Sequence, residues 1–324
     1  MACEDRRQDA SSSLHAGRTL REKESRLMRG HRLILPLACA LLLSACAKPK
    51  PVPAGPPPVN PSTAIALSVL AESVYLVDPV SGDRIRVASG LVDFQSGYAT
   101  WAPDHRRLAY SNGGIVVFDT ATGRRHVLAD GASLSAPAWN HDGTQLAYGN
   151  GTSLWLTPAS AYQPSRLRLP RTLAPLAMTW GPDSKIAFDG LQLTCDHLGS
   201  CLSTDRSEIW TMRADGSRLK RVTRVGHAEK PKWSPDGSKL LFVVRSGGKE
   251  PELWVANADG SEAERLPDTS GVIAADWSPD GERIAMVKPG EAPGTLQLWV
   301  VDVDGASQRT LGTPITGLEA TVDW

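Results

Sequence analysis

Apolar residues along most of this chain come in runs of two or three, set between turn formers rather than spaced at a helical period. Leu108-Ala-Tyr110, Leu146-Ala-Tyr148, Ile186-Ala-Phe188, Leu240-Leu-Phe242 and Ile284-Ala-Met286 are such runs. Each follows a tryptophan and a polar turn: Trp101-Ala-Pro-Asp104, Trp139-Asn-His-Asp-Gly143, Trp180-Gly-Pro-Asp183, Trp233-Ser-Pro-Asp-Gly237 and Trp277-Ser-Pro-Asp-Gly281. Aromatic and β-branched residues suit a pleated, half-buried surface. In the turns, glycine takes the positive-φ position and the aspartate can bond the turn's own backbone. The pattern predicts short antiparallel strands joined by tight turns.

A second phrase follows the first at a variable distance. Its clear copies are Ile209-Trp-Thr-Met-Arg-Ala-Asp-Gly216, Leu253-Trp-Val-Ala-Asn-Ala-Asp-Gly260 and Leu298-Trp-Val-Val-Asp-Val-Asp-Gly305. Looser copies are Val74-Tyr75 before Ser81-Gly82, Ile115-Val116 before Thr122-Gly123, and Leu154-Trp155. A repeat therefore reads strand A ending in Trp, a turn, strand B, a connection, strand C, a turn and strand D. Four strands in about 40–45 residues is the pattern of a propeller blade.

The ends of the chain set the number of blades. The tryptophan phrase occurs a sixth time in Glu319-Ala-Thr-Val-Asp-Trp324, while Ala64-Ile-Ala-Leu-Ser-Val69 reads as a strand B without its own strand A. The expected fold is all-β, a six-bladed propeller of four-stranded antiparallel blades over 64–324. Residues 319–324 supply the missing strand of the N-terminal blade, which removes a free sheet edge.

These phrases resemble the WD40-like propeller repeats of the TolB family, whose mark is Trp-Ser-Pro-Asp-Gly followed by Ile-Ala-Phe and Leu-Trp-Val. The resemblance covers 64–324 and is closest in the last three repeats. It implies a periplasmic propeller that contacts envelope proteins, other lipoproteins among them. The chain departs from the family pattern in having no residues for the α/β domain that precedes the TolB propeller.

Six tryptophans, Trp101, Trp139, Trp180, Trp233, Trp277 and Trp324, are expected to pack between adjacent blades, because one residue type at one place in every repeat is what structural repetition produces. Asp104, Asp142, Asp183, Asp236 and Asp280 are expected to accept turn hydrogen bonds. Asn257-Ala-Asp259-Gly-Ser-Glu262 and Asp302-Val-Asp304 lack the full spacing of a calcium loop and read as hairpin turns.

The N-terminal part reads as targeting. Arg29, His31 and Arg32 precede an apolar run at 33–43, which is too short for a bilayer span of roughly 20 residues and fits a signal peptide. Leu43-Ser-Ala-Cys46 follows and is similar to a bacterial lipobox, making Cys46 the expected site of lipidation with a palmitate-type acyl chain. The segments are then 1–27, a disordered or non-native leader before Met28; 28–45, the signal peptide; and 46–63, the lipidated cysteine with a Pro-rich tether. At about 3.1 Å per residue such a tether reaches roughly 45 Å. Position 47 is Ala rather than Asp, which favours the periplasmic face of the outer membrane.

Composition narrows the functional classes. Lys plus Arg equals Asp plus Glu at 35 each, so there is no basic excess of the kind a nucleic-acid binder uses against phosphate. No Gly-x-Ser-x-Gly elbow, His-Glu-x-x-His, P-loop or dinucleotide fingerprint occurs, and His105, His126, His141, His197 and His227 are scattered over different repeats. No catalytic residue, metal or cofactor is expected. Cys195 and Cys201 lie in a long insertion, roughly 189–207, between strands B and C of blade three. In an oxidising compartment they are expected to form a disulfide contributing about 2 kcal/mol.

Alternation along the strands puts the A–B and C–D turns on one rim, and the D–A and B–C connections on the other. The first set is short and uniform. The second is irregular, and variable loops on a rigid scaffold read as recognition. Phe94, Tyr98, His227, Glu229 and Lys230 are the candidate partner contacts on that rim. The expected function is a non-catalytic, lipid-anchored scaffold for envelope proteins. The alternative is a carbohydrate-binding module, or a propeller lyase or hydrolase acting on an envelope oligosaccharide.

Overall fold

The structure, a computed structural model, describes residues 59–324 except 61, 70–72, 90–98, 112, 113, 131–134, 198, 199, 246, 305 and 306. Cys46, Phe94, Tyr98 and the expected leader, signal peptide and most of the tether lie outside the described residues. The first blade opens with β1 (Ile65–Val69), β2 (Ser73–Val77) and β3 (Arg84–Ser89). The second holds β4 (Ala99–Trp101), β5 (Arg107–Ser111), β6 (Gly114–Asp119) and β7 (Arg125–Asp130); the third holds β8 (Ala138–Trp139), β9 (Gln145–Asn150), β10 (Ser153–Pro158) and β11 (Ser165–Leu167). The fourth holds β12 (Leu173–Gly181), β13 (Lys185–Cys195), β14 (Cys201–Arg213) and β15 (Lys220–Arg221). The fifth holds β16 (Ala228–Trp233), β17 (Lys239–Val244), β18 (Glu252–Asn257) and β19 (Glu264–Arg265). The sixth holds β20 (Ala274–Trp277), β21 (Arg283–Pro289), β22 (Thr295–Asp302) and β23 (Gln308–Thr316), and β24 (Ala320–Asp323) ends the chain.

These strands form six four-stranded antiparallel sheets, the six-bladed propeller expected from the repeats. β24 pairs with β1 in the register Ala66↔Asp323 to Val69↔Ala320, so the last strand completes the first blade. The seam is also tied at its outer edge. Arg84 donates to the Thr313 carbonyl at 2.9 Å, and Arg309 donates to the Pro79 carbonyl at 2.5 Å. Between them the backbone of Gly82 meets that of Gly312 so closely that a Cβ on Gly82 would lie 2.3 Å from the Gly312 nitrogen. A larger residue at either position would push the first and sixth blades apart.

The core is divided among the interfaces between blades. Trp101 packs with Ala64, Ala66, Val74 and Leu76 of the first blade as well as with Leu108 and Tyr110 of its own. Trp277 does the same with Leu241, Val243 and Val255 of the fifth. Three indole N–H groups reach back to a carbonyl of the preceding blade: Trp101 to Ala64 at 3.2 Å, Trp139 to Thr100 at 3.1 Å and Trp277 to Lys232 at 3.3 Å. Val59 is fully buried in the interface of the first two blades, so packing begins before Ala64, inside the stretch expected to be tether.

Two local features differ from expectation. The insertion at 189–207 belongs to the fourth blade, because the closed ring counts the N-terminal blade first. It is no loop but a ribbon, with β13 and β14 paired out to Cys195↔Cys201. The Sγ atoms of these two cysteines are bonded and cap its tip. The second difference is the turn after Trp180. Asp104, Asp142, Asp236 and Asp280 each accept backbone N–H groups two residues on, at 2.9–3.0 Å. Asp183 takes no such role. Its turn lacks one residue relative to Ser234-Pro-Asp-Gly-Ser238, and Asp183 and Ser184 are instead driven to φ +56° and +55° in a 3-10 turn.

Candidate functional site

Side chains alternate along a strand, so turning each strand-A tryptophan onto the preceding blade points its neighbour the other way. The residues before the six tryptophans are Thr100, Ala138, Thr179, Lys232, Asp276 and Asp323, and all six line one cavity of about 330 Å³ along the centre of the ring. Among the described residues a second layer, nearer the D–A connections, comprises Ala136, Ala177, Lys230, Ala274 and Thr321. Towards the A–B turns the lining continues with Pro103, His105, Asn140, His141, Pro235 and Pro279.

The first layer is polar on one side and small on the other. Lys232 Nζ lies 2.7 Å from an Asp276 carboxylate oxygen and 2.8 Å from one of Asp323, joining the fifth, sixth and first blades. The other Asp323 oxygen accepts the backbone N–H of Trp101, which carries the chain of bonds on to the second blade. Asp276 also accepts the N–H groups of Trp277 at 2.8 Å and Trp324 at 3.3 Å. Burial by itself would lower the Lys232 ammonium, but Asp276 and Asp323 outweigh it and hold its pKa above the ordinary lysine value. Burial pushes the Asp276 carboxyl up; Lys232 pulls it down and the Asp323 carboxylate adds to the rise. Facing this wall, Thr100, Ala138 and Thr179 leave the open volume.

In the second layer Lys230 stands among alanines. Strand β16 carries a bulge, with register shifting between Glu229 and Lys232, and Lys230 sits in it at φ +54°. A non-glycine residue in that region costs of order 1–3 kcal/mol. The bulge is held by Asp189 of the fourth blade, a 3 % exposed carboxylate that accepts the N–H of Lys230 at 3.2 Å and that of Ala177 at 2.5 Å. Ala177 lies in the corresponding irregularity of β12, between Pro175 and Met178. Burial pushes the Asp189 carboxyl up to about 7 in spite of those two donors. The Lys230 ammonium donates to the Ile273 carbonyl at 2.9 Å, and burial lowers its pKa. Among the described residues no carboxylate lies within ion-pair distance of it.

Of the candidate contact residues, Lys230 lines the cavity. Glu229 is paired with Arg245 at 2.9 Å, and His227 gives its carbonyl to the Arg245 N–H at 2.9 Å and bridges Ser207 through backbone. The three therefore share one strand start without converging on one point. Asp189, Lys232, Asp276 and Asp323 were not among the expected site residues. Reading one position back from each tryptophan would have found the last three. His105, His126, His141, His197 and His227 form no metal-ligating cluster among the described residues.

Residues 189–321 match the family described as the TolB beta propeller domain. No curated protein matches the sequence. Among solved structures, TolB from Acinetobacter baumannii superposes with a TM-score of 0.65 at 17% identity, over 80% of this chain and 66% of that one. The chain thus spans just under two thirds of that TolB. The structure of a nidogen/laminin complex superposes with a TM-score of 0.62 at 11% identity, over 80% of this chain and 97% of the other. Oligogalacturonate lyase from Vibrio parahaemolyticus gives 0.50 at 15% identity, over 78% and 80%. At these identities the likeness is one of fold.

Proposed function

We propose that this propeller is a scaffold for protein–protein contact at the bacterial envelope, anchored by lipid on Cys46, with the D–A and B–C connections forming its contact face. The observation that carries this reading is how the charges in the channel are used. Lys232, Asp276 and Asp323 are bonded to one another and to backbone across several blades, so they stiffen the ring instead of standing free for acid–base work. A stiff ring with connections of unequal length on one rim is a support for recognition. The match of 189–321 to the TolB beta propeller domain supports a periplasmic, protein-binding role. In this reading the acyl chain on Cys46 is of the palmitate type and the membrane is the outer one.

Crosslinking in intact cells, followed by purification from membranes, tests it. Wild-type protein is expected in the membrane fraction with discrete protein adducts, and Cys46→Ala is expected in the soluble fraction. Absence of adducts, together with retention on an envelope-oligosaccharide resin, would favour the lyase or carbohydrate reading that the likeness to oligogalacturonate lyase suggests.

A further inference from the structure

We infer that the Lys230 ammonium is a receptor for a carboxylate on an acidic segment of a protein partner, which enters the channel from the D–A side. This rests on the scaffold reading above and names the chemistry that the contact face selects. Four observations meet at the residue. Its backbone is held at φ +54° within a bulge, and bulges re-aim side chains next to functional sites. A buried carboxylate of the neighbouring blade, Asp189, fixes that backbone by its N–H and leaves the ammonium alone. The ammonium has one carbonyl acceptor, Ile273, for three donors. Among the described residues the channel layer around it is Ala136, Ala177, Ala274 and Thr321, small side chains that leave space beside the charge on their side of the channel.

Among the described residues no carboxylate stands within ion-pair distance of this cation. Glu319, Glu229 and Asp189 favour its charge at longer range and Arg245 opposes it. Glu229 is already engaged by Arg245, and Asp189 by two backbone donors. A carboxylate arriving with a partner would make a charge-assisted hydrogen bond in a partly dehydrated site. The alanines argue for an acidic peptide over an acidic sugar. Sugar hydroxyls need matching donors and acceptors, and three of the four described neighbours in this layer have no polar side-chain atom.

The test is a titration followed by the fluorescence of the tryptophans that line the cavity. Three probes are used: acetyl-Ala-Glu-Ala-amide, its Gln counterpart, and D-galacturonate. The proteins are wild type, Lys230→Met, and Ala136→Met, which narrows the channel and keeps the lysine. The Glu peptide is expected to bind wild type more tightly than the Gln peptide, and Lys230→Met to weaken it about thirtyfold. Ala136→Met is expected to weaken both peptides. Equal binding of the Glu and Gln peptides, or unchanged binding to Lys230→Met, overturns the assignment. So does binding of galacturonate with neither peptide. If Lys230→Met still yields the wild-type adducts in cells, this inference fails while the scaffold reading stands; if wild type yields none, the scaffold reading itself fails.

Discussion

The six tryptophans occupy equivalent places but are not equivalent in energy. Trp139 gives its indole N–H to the Thr100 carbonyl, whereas the indole N–H of Trp233 is buried without a hydrogen-bond partner. Removing a satisfied buried donor strands its acceptor, and removing an unsatisfied one takes away a penalty. Trp139→Phe is therefore expected to destabilise by about 1 kcal/mol more than Trp233→Phe, read from urea denaturation midpoints. Asp189 supplies a pH test. Its carboxyl rises from an ordinary 3.8 to about 7 on folding, so between those values the folded state binds more protons than the unfolded. Its contribution then falls as pH rises through that window and levels off above it. Wild type should lose stability relative to Asp189→Asn between pH 4 and about 7; a gap that stays constant with pH would contradict the buried, unpaired carboxylate. Residue by residue, the tryptophans and four of the five turn aspartates were legible because each is a local signal repeated; Asp183 broke the rule because its turn is one residue shorter. Lys230 was visible as a candidate, but its left-handed backbone was not, since nothing in Glu229-Lys-Pro-Lys232 supplies the glycine that such a conformation ordinarily takes.

At the scale of elements, the short strands and their order followed from alternation and turn chemistry, and β24 could be assigned because its tryptophan phrase stood without a blade. The ribbon of β13 and β14 was harder to see. Residues 201–206 are all exposed, so neither face carries the apolar alternation by which a strand is recognised. It is the ladder from Lys185↔Arg213 outwards, and not burial, that extends them. The closing strand carries the heaviest prediction. Ala320, Val322 and Asp323 are buried, and Asp323 completes the ion triad with Lys232. Burial of Val322 is worth about 1.5–3 kcal/mol, and each backbone bond to β1 adds about 1 kcal/mol. Together these approach the whole stability of a domain, about 5–15 kcal/mol. A chain ending at 318 should unfold or, with the β1 edge bared, self-associate. Circular dichroism and size-exclusion chromatography would show this, and a synthetic peptide of residues 317–324 should restore the melting transition in part. Unchanged melting of the truncated chain would mean that the ring does not depend on its seam.

At the scale of the molecule, six copies of one phrase build a nearly regular ring, and departures from regularity mark what the ring is for. The layer before the tryptophans reads Thr, Ala, Thr, Lys, Asp, Asp from the second blade round to the first, so the charge that locks the channel lies on one side and the space on the other. The sequence held this asymmetry in plain view, but only the fold shows that those six positions face one another. The most direct measurement places a photo-crosslinking amino acid at Glu291 or Glu319, exposed on the D–A/B–C rim, and at Thr122 or Asp142, exposed on the opposite one. Protein adducts in cells from the first pair and none from the second are the predicted result. Adducts from Thr122 and Asp142 alone would contradict the placement of the contact face.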